Sequence, residues 1–323
     1  MQGSGGPVRV RPVTPLPPFQ SVDDARARLD AAGYLASPEI ATSAFLADRL
    51  EKPILVEGPA GVGKTELARA LASALGRKLV RLQCYEGLDE SKALYEWEYA
   101  KQLLYTQLLK DKIGEALAGA KSLSEAAARL GAEDAVFFSE RFLLPRPLLQ
   151  ALLSEQPALL LVDEVDKADP EFEAFLLEVL AENAATIPEL GTLRARHVPR
   201  VVLTSNAARE LSDALKRRCL HLHIDFPGRE RELRIVRARL PDISARLADS
   251  VTRAVEKLRT LELKKSPSIT ETLDWARALA LLNAEVLSAD LLAATLNVVL
   301  KHESDVEKAR ASAAAVAAAA EPD

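Results

Sequence analysis

The stretch "PILVEGPAGVGKTELARAL" (residues 53–71) decides the fold. A short apolar run leads into a glycine-rich loop, and leucine and alanine at helical spacing follow it. The loop fits the pattern G-x-x-x-x-G-K-[ST], with Gly58, Gly63, Lys64 and Thr65 in the fixed positions. Because the pattern requires a strand before the loop and a helix after it, the stretch predicts a phosphate-binding turn within an α/β domain.

The residue types in this loop suit a nucleoside triphosphate. Glycines let backbone N–H groups converge on phosphate oxygens, and the ammonium group of Lys64 supplies a positive charge at the β- and γ-phosphates. The hydroxyl of Thr65 is expected to ligate Mg²⁺. The predicted nucleotide-binding residues are Gly58, Pro59, Ala60, Gly61, Val62, Gly63, Lys64, Thr65 and Glu66.

Further apolar runs alternate with helical patterns after this loop. They are "KLVRLQ" (78–83), "ALLLVDE" (158–164), "RVVLTSN" (200–206) and "LHLHID" (220–225). Strands that alternate with helices indicate a parallel sheet with helices on both of its faces. After Pro227 the pattern is purely helical.

These patterns divide the chain into four segments. We expect a disordered Pro-rich arm over residues 1–20 and a nucleotide-binding core over residues 21–227. A helical lid domain is expected over residues 228–305. The Ala-rich tail over residues 306–323 is read as a frayed helix or a disordered end.

Two carboxylates end the third predicted strand and indicate hydrolysis. Asp163 can hold Mg²⁺ through water, and Glu164 can polarise the attacking water, a role that contributes about 10²–10⁴ in rate. Asn206 ends the following strand and can reach the γ-phosphate or the water, because parallel strands present their carboxyl ends at one side of the sheet. The motif "DKAD" (166–169) resembles the guanine-specificity motif but stands too early in the chain. ATP is therefore the predicted nucleotide.

Composition limits the classes of protein that remain. The chain has 323 residues and a net charge of −5, which disfavours a nucleic-acid partner. Cys84 and Cys219 are too few for a disulfide framework, so a cytoplasmic protein is expected. No apolar run reaches the 18 residues that a membrane span needs, and the N-terminus lacks a signal-type apolar segment. The alternation of His221 and His223 is typical of a strand face rather than a metal site.

Taken in order, these motifs resemble those of the AAA+ ATPases. The match is with the MoxR family, specifically its CoxD-like branch, which includes the carbon-monoxide-dehydrogenase maturation ATPase. The resemblance extends over about residues 35 to 280. It rests on "RLQCYEGLDE", "ALYEWEYAKQLL", "FEAFLLEVLAE", "TIPELGTLRA" and "LTSNAARELSDALKRRC". The resemblance implies an αβα sandwich with a helical lid, a homo-hexameric ring and a partner with a von Willebrand A domain.

The resemblance also implies a role for the paired arginines of "DALKRRC" (213–219). In rings of this family, the arginine before the cysteine reaches the γ-phosphate of the adjacent subunit. Arg218 is thus the expected arginine finger, with Arg217 as its assistant or as a salt-bridge partner. Gln83 matches a family position that links nucleotide state to the sheet.

One segment departs from the family pattern. Ser268 stands where a sensor arginine of the lid is usual. Either Arg277 replaces that arginine, or the lid senses nucleotide by another contact.

No motif identifies the protein on which this ATPase would act. Five aromatic residues between Tyr85 and Tyr105 either pack against the core or contact a substrate. The favoured function is a ring ATPase that remodels, activates or matures a protein client, possibly a metalloenzyme. A clamp-loader-like motor on nucleic acid and a nucleotide switch without turnover are the alternatives.

Overall fold

The structure is a computed structural model that describes residues 15–108 and 139–321. Its strands are β1 (Ile54–Glu57), β2 (Lys78–Gln83), β3 (Tyr95–Trp97), β4 (Leu143–Pro145), β5 (Ala158–Asp163), β6 (Ala184–Ile187), β7 (Gly191–Arg194), β8 (Arg200–Ser205) and β9 (Leu220–His223).

The helices of the core are α1 (Val22–Ala31), α2 (Pro38–Leu50), α3 (Lys64–Ala74), α4 (Glu90–Leu94), α5 (Tyr99–Leu108), α6 (Pro147–Leu152), α7 (Pro170–Glu182) and α8 (Asp213–Arg218). Those of the C-terminal region are α9 (Arg229–Arg239), α10 (Ala245–Arg259), α11 (Ile269–Leu281), α12 (Ala289–Val299), α13 (Glu303–Ala311) and α14 (Ala313–Ala320).

Five strands form one sheet in the order β2-β5-β8-β1-β9. Every pairing is parallel, and the predicted phosphate-loop strand β1 lies between β8 and β9. The interior strands β5 and β8 are buried along their whole length, as the continuous apolar run of β5 predicts. The expected parallel α/β sheet is therefore confirmed.

Side chains of successive strand residues enter two separate apolar layers. Leu160 and Val162 pack on one face with α6 and α7, whereas Leu159 and Leu161 pack on the other face with α1, α2 and α3. This alternation follows from the two-residue period of a strand. The core is thus an αβα sandwich, and its sheet holds the ends of β1, β5 and β8 at one edge.

Two small hairpins extend from this core. β3 pairs with β4, and β6 pairs with β7, both antiparallel. The second hairpin contains most of the stretch "TIPELGTLRA" (186–195).

The C-terminal region is helical from Arg229 onward and has its own apolar core. Trp275 is fully buried there, and its indole N–H donates to the Thr295 hydroxyl at 2.8 Å. The helix α13 crosses the expected boundary at residue 305, and Val316 and Ala320 of α14 are fully buried against this core. The tail therefore differs from the frayed or disordered end expected from sequence, because its alanines let α14 pack closely on α10.

The N-terminal arm is described only from residue 15. Residues 15–20 form neither helix nor strand, yet Phe19 is fully buried, and its N–H donates to the Asp48 carboxylate at 2.9 Å. The disorder expected for residues 1–14 lies outside the described residues.

Candidate functional site

The phosphate loop connects the end of β1 to the start of α3, as the sequence predicts. Gly58 has a φ of +150°, and a Cβ there would lie 1.9 Å from the Ile224 carbonyl oxygen. Gly61 has a φ of +77°, and a Cβ there would lie 2.3 Å from the hydroxyl oxygen of Ser268. Both positions thus require glycine, since L-residues with a side chain rarely adopt such φ values.

Lys64 points its ammonium group into the loop. The Nζ atom donates to the carbonyl oxygens of Gly58 and Pro59, each at 2.7 Å, and to Asn206 Oδ1 at 2.8 Å. The residue is only 6% exposed, and burial lowers the pKa of its amine. The charge is therefore preorganised where phosphate oxygens would enter.

Side-chain oxygens from three elements, α3, β5 and β8, meet at the end of β5. The Thr65 hydroxyl lies 3.1 and 3.3 Å from the two carboxylate oxygens of Asp163, and the Thr204 hydroxyl donates to Asp163 at 2.5 Å. Mg²⁺ in nucleotide sites prefers one or two protein oxygens together with substrate phosphates and water. Thr65 and Asp163 fit that donor set, and the metal would neutralise charge that develops on the phosphates.

Glu164 adopts the left-handed conformation, with a φ of 56°, directly after β5. Its carboxylate accepts from Gln83 Nε2 at 2.8 Å and from Asn206 Nδ2 at 3.0 Å, and it pairs with Lys167 at 2.7 Å. Its backbone N–H donates to Thr204 at 2.9 Å. The carboxylate is therefore fixed beside the metal-fitting oxygens, where it could accept a proton from water.

Asn206 lies between Lys64 and Glu164. Its Oδ1 accepts from Lys64, and its Nδ2 donates to Glu164. Buried Asp166 accepts from the backbone N–H groups of Asn206 and Ala208 at 3.2 and 2.9 Å, which fixes the loop. The structure thus brings the residues predicted from three strands to one place.

Two cavities adjoin the phosphate loop. One has a volume of about 390 Å³ and is lined by Lys64, Thr65, Asp163, Glu164 and Asn206. The other has about 400 Å³ and lies between the loop and the helical region, with a mostly apolar lining that includes Tyr34, Leu35, Ile224, Pro227, Ile235 and Leu273. A polar cavity beside an apolar one suits phosphates joined to a flat base.

The helical region contacts the loop in ways that the sequence did not reveal. Ser268 is buried against Gly61 and is the N-cap residue of α11. Arg277 lines the apolar cavity but is mostly exposed and pairs with Asp274 at 3.5 Å. Arg239 of α9 pairs with Glu66 at 3.1 Å.

Two residues of the segment "DKAD" (166–169), Asp166 and Lys167, contact residues that line the phosphate cavity. Lys167 pairs with Glu164, and the Asp169 carboxylate accepts from the Gly87 N–H at 3.3 Å rather than from a helix N–H. Asp169 thus occupies the N-cap position of α7 without a side-chain hydrogen bond to that helix. None of these residues lines the apolar cavity.

Arg217 and Arg218 lie apart from these cavities. Leu220 pairs with Ile54, the first residue of β1. Arg218 therefore lies near the amino-terminal ends of the strands, whereas Gly58 lies at their carboxyl ends. The four residues of β1 span about 13 Å. Both arginine side chains are exposed, and neither makes a hydrogen bond or an ion pair within the described residues.

The aromatic stretch divides into packed and exposed members. Trp97 is buried and meets Tyr95 edge to face at 5.8 Å between ring centroids, and Tyr105 meets Phe142 similarly at 5.2 Å. Tyr85 and Tyr99 remain exposed by 47% and 68%.

Three residues that contact the site were given no individual role by the sequence. Arg81 and Thr204 bond the Asp163 carboxylate, and Lys167 bonds Glu164. Strand alternation could have indicated Arg81, because it shares a face of β2 with Gln83.

Two other kinds of feature are absent from residues 15–108 and 139–321. No three His, Cys, Asp or Glu side chains converge there as a metal site. None of the helices there combines the length and apolar character required to cross a bilayer.

Comparison with known proteins places this site in a family context. The family model described as AAA domain (dynein-related subfamily) matches residues 53–219, slightly more than half of the chain. The gas vesicle ATPase GvpN of Haloferax mediterranei is 28% identical over 217 residues, which cover 64% of this chain and 56% of that protein. The chaperone protein ClpB 2 of Parasynechococcus marenigrum is 32% identical over 151 residues, 47% of this chain and 13% of that protein.

The chain thus matches about half the length of GvpN and a small part of ClpB 2. A solved RuvB variant from Thermotoga maritima aligns with a TM-score of 0.45 and 16% identity, over 87% of this chain and 70% of that one. The matched residues 53–219 run from the phosphate-loop strand to Cys219, just after the paired arginines. The chain belongs to the dynein-related subfamily of AAA domain proteins.

Proposed function

We propose that this protein is a MoxR-type ATPase that assembles into a ring, a homo-hexamer, and uses ATP hydrolysis to remodel, activate or mature a protein client. The AAA domain match and the ATPase among its relatives support hydrolysis. The ring and the client are our own extension of those findings.

The site geometry supports a division of roles for hydrolysis. Lys64 would contact the β- and γ-phosphates, and Thr65 and Asp163 would hold Mg²⁺. Glu164 would orient and deprotonate the attacking water. The Asn206 amide would hold the side chains of Glu164 and Lys64 in position. The contacts that support these roles all lie between 2.7 and 3.3 Å.

The position of the paired arginines is the observation that supports assembly into a ring. A guanidinium that ends a helix at the far edge of the sheet cannot serve the phosphate site of its own chain without a large movement. Arg217 and Arg218 are exposed and unpaired among the described residues, so they can reach an anion on a neighbouring subunit. An arginine finger supplied in trans contributes about 10³–10⁵ in rate.

Charge and resemblance together support a protein client. The net charge of −5 disfavours a polyanionic nucleic acid, which would also require a basic inner surface. The MoxR resemblance points to a partner with a von Willebrand A domain and to metalloenzyme maturation, whereas the name of GvpN links that relative to gas vesicles. Exposed Tyr85 and Tyr99 are available for contact with a polypeptide.

The dependence of activity on protein concentration tests this proposal. Specific ATPase activity should rise with concentration at saturating Mg-ATP, in parallel with ring formation followed by light scattering. Glu164→Gln should form the same rings without turnover, which separates assembly from chemistry. A monomer that hydrolyses ATP at a constant specific rate over a hundredfold range of concentration would contradict the proposal.

A further inference from the structure

Arg81 places its positive charge beside the carboxylate of Asp163, one of the two residues that could hold Mg²⁺. Its Nε and Nη2 atoms donate to the same oxygen, Asp163 Oδ2, at 3.0 and 2.6 Å. The Asp163 side chain is 4% exposed, whereas that of Arg81 is 44% exposed. The Asp163 carboxylate is thus buried, and the partly exposed Arg81 side chain reaches it from β2, the strand at the end of the sheet order.

This contact uses an oxygen that a divalent cation would also need. Asp163 Oδ1 already accepts from Thr204 at 2.5 Å, so Oδ2 is the oxygen on which a new ligand and Arg81 would compete. Two cations on one carboxylate oxygen repel each other, and a buried site screens that repulsion only weakly. Binding of Mg²⁺ to this carboxylate therefore favours release of the guanidinium.

We propose that Arg81 is an internal competitor of the divalent cation at Asp163, and that it raises the Mg²⁺ concentration at which nucleotide binds. The proposal rests on the nucleotide site described above and adds a residue that sets its metal requirement. Arg81 is here a positioning residue, since it acts on the site through Asp163.

A second contact connects Arg81 with the proposed base. Arg81 Nη2 also donates to Gln83 Oε1 at 2.5 Å, and Gln83 Nε2 donates to Glu164 at 2.8 Å. The Gln83 amide can present its NH₂ group to Glu164 because its oxygen faces Arg81. Release of Arg81 by a cation would therefore alter one hydrogen bond on the path to Glu164.

The test is the Mg²⁺ dependence of binding of a fluorescent methylanthraniloyl derivative of ADP. The wild type, Arg81→Ala and Arg81→Lys are titrated with Mg²⁺ at fixed nucleotide. Lys78→Ala is the matched control, because it removes one exposed positive charge from the same strand on the opposite face. Thermal unfolding without nucleotide is recorded for each variant.

Arg81→Ala should need less Mg²⁺ for half-maximal binding, by a factor of about three to ten, the contribution expected of one partly buried ion pair. Arg81→Lys should lie between the alanine variant and the wild type, and Lys78→Ala should match the wild type. An unchanged or increased Mg²⁺ requirement in both Arg81 variants would overturn the proposal, even if their stability falls, because that pattern marks a purely structural ion pair. A wild type that binds no nucleotide at any Mg²⁺ concentration would instead overturn the proposed function.

Discussion

The charged side chains of the phosphate site have hydrogen-bond and ion-pair partners within the chain, whereas the two arginines at the carboxyl end of α8 have none in the part of the chain that the structure describes. At the phosphate site, Lys64, Asp163 and Glu164 each have two or more hydrogen-bond or ion-pair partners from other elements of the same chain. At the end of α8, Arg217 and Arg218 have none among the described residues. Both regions carry basic side chains, but only the first is complete within one chain.

This contrast indicates that the two regions act on different ligands. A preorganised cluster can bind phosphate without reorganisation, since its dipoles and charges already point into the cavity. An exposed arginine pair at a helix C-terminus gains only about 0.3–1 kcal/mol from the helix dipole. The pair therefore contributes little to the fold of the isolated chain, and we infer that it acts at an interface.

Arg218→Ala tests the incomplete region and should have the largest effect. We expect kcat to fall by about 10³–10⁵, since an arginine finger stabilises transition-state charge, while the affinity for ATP stays near the wild-type value. Steady-state kinetics and equilibrium nucleotide binding measure the two quantities. Arg217→Ala is the matched control and should be milder. A greater loss in Arg217→Ala would assign the finger to Arg217 instead.

Glu164→Gln tests the complete region. Loss of the base should lower kcat by about 10²–10⁴ while ATP binding is retained, because the amide can still accept a hydrogen bond from Gln83 or Asn206. Glu155→Gln, at an exposed carboxylate beside Arg196, is the control with the same atomic change. Equal losses of binding and turnover in Glu164→Gln would show that Glu164 holds the site together rather than acting on water.

The choice of nucleotide should give the smallest of these effects. We expect ATP to bind at least about tenfold more tightly than GTP, a difference of about 1.4 kcal/mol. The reason is that Asp166 bonds the loop of Asn206, Lys167 pairs with Glu164 and Asp169 bonds Gly87, so that none of them lines the apolar cavity as a guanine-type motif would. Competition binding with both nucleotides measures this, and comparable affinities would contradict the interpretation of "DKAD".

The phosphate loop and the sheet were predictable because their signals are local. The spacing from Gly58 to Thr65 fixes the turn, and the unbroken apolar run of β5 fixes a strand buried on both faces. Asn206 was predictable because the carboxyl ends of parallel strands meet at one edge.

The partners that these site residues find in other elements of the fold were not predictable. The distance from Arg81 to Asp163 depends on the register of β2 against β5, in which Gln83 is level with Asp163. The pairing of Arg239 with Glu66 depends on how α9 packs beside the loop, which no spacing in the sequence encodes. The packing of α14 could not be predicted either, because a run of alanines is compatible with both an exposed and a buried helix.

Mixing two inactive variants tests the central claim, that the phosphate site of one subunit is completed by the arginine pair of another. Arg218→Ala keeps an intact phosphate loop, and Lys64→Ala keeps an intact Arg218. ATPase activity is measured across mixing ratios, with co-assembly verified by pull-down of one tagged variant. We predict that mixed rings regain part of the wild-type activity, with a maximum at intermediate ratios. Proven co-assembly without any recovery would mean that Arg218 acts within its own chain, and would contradict the account.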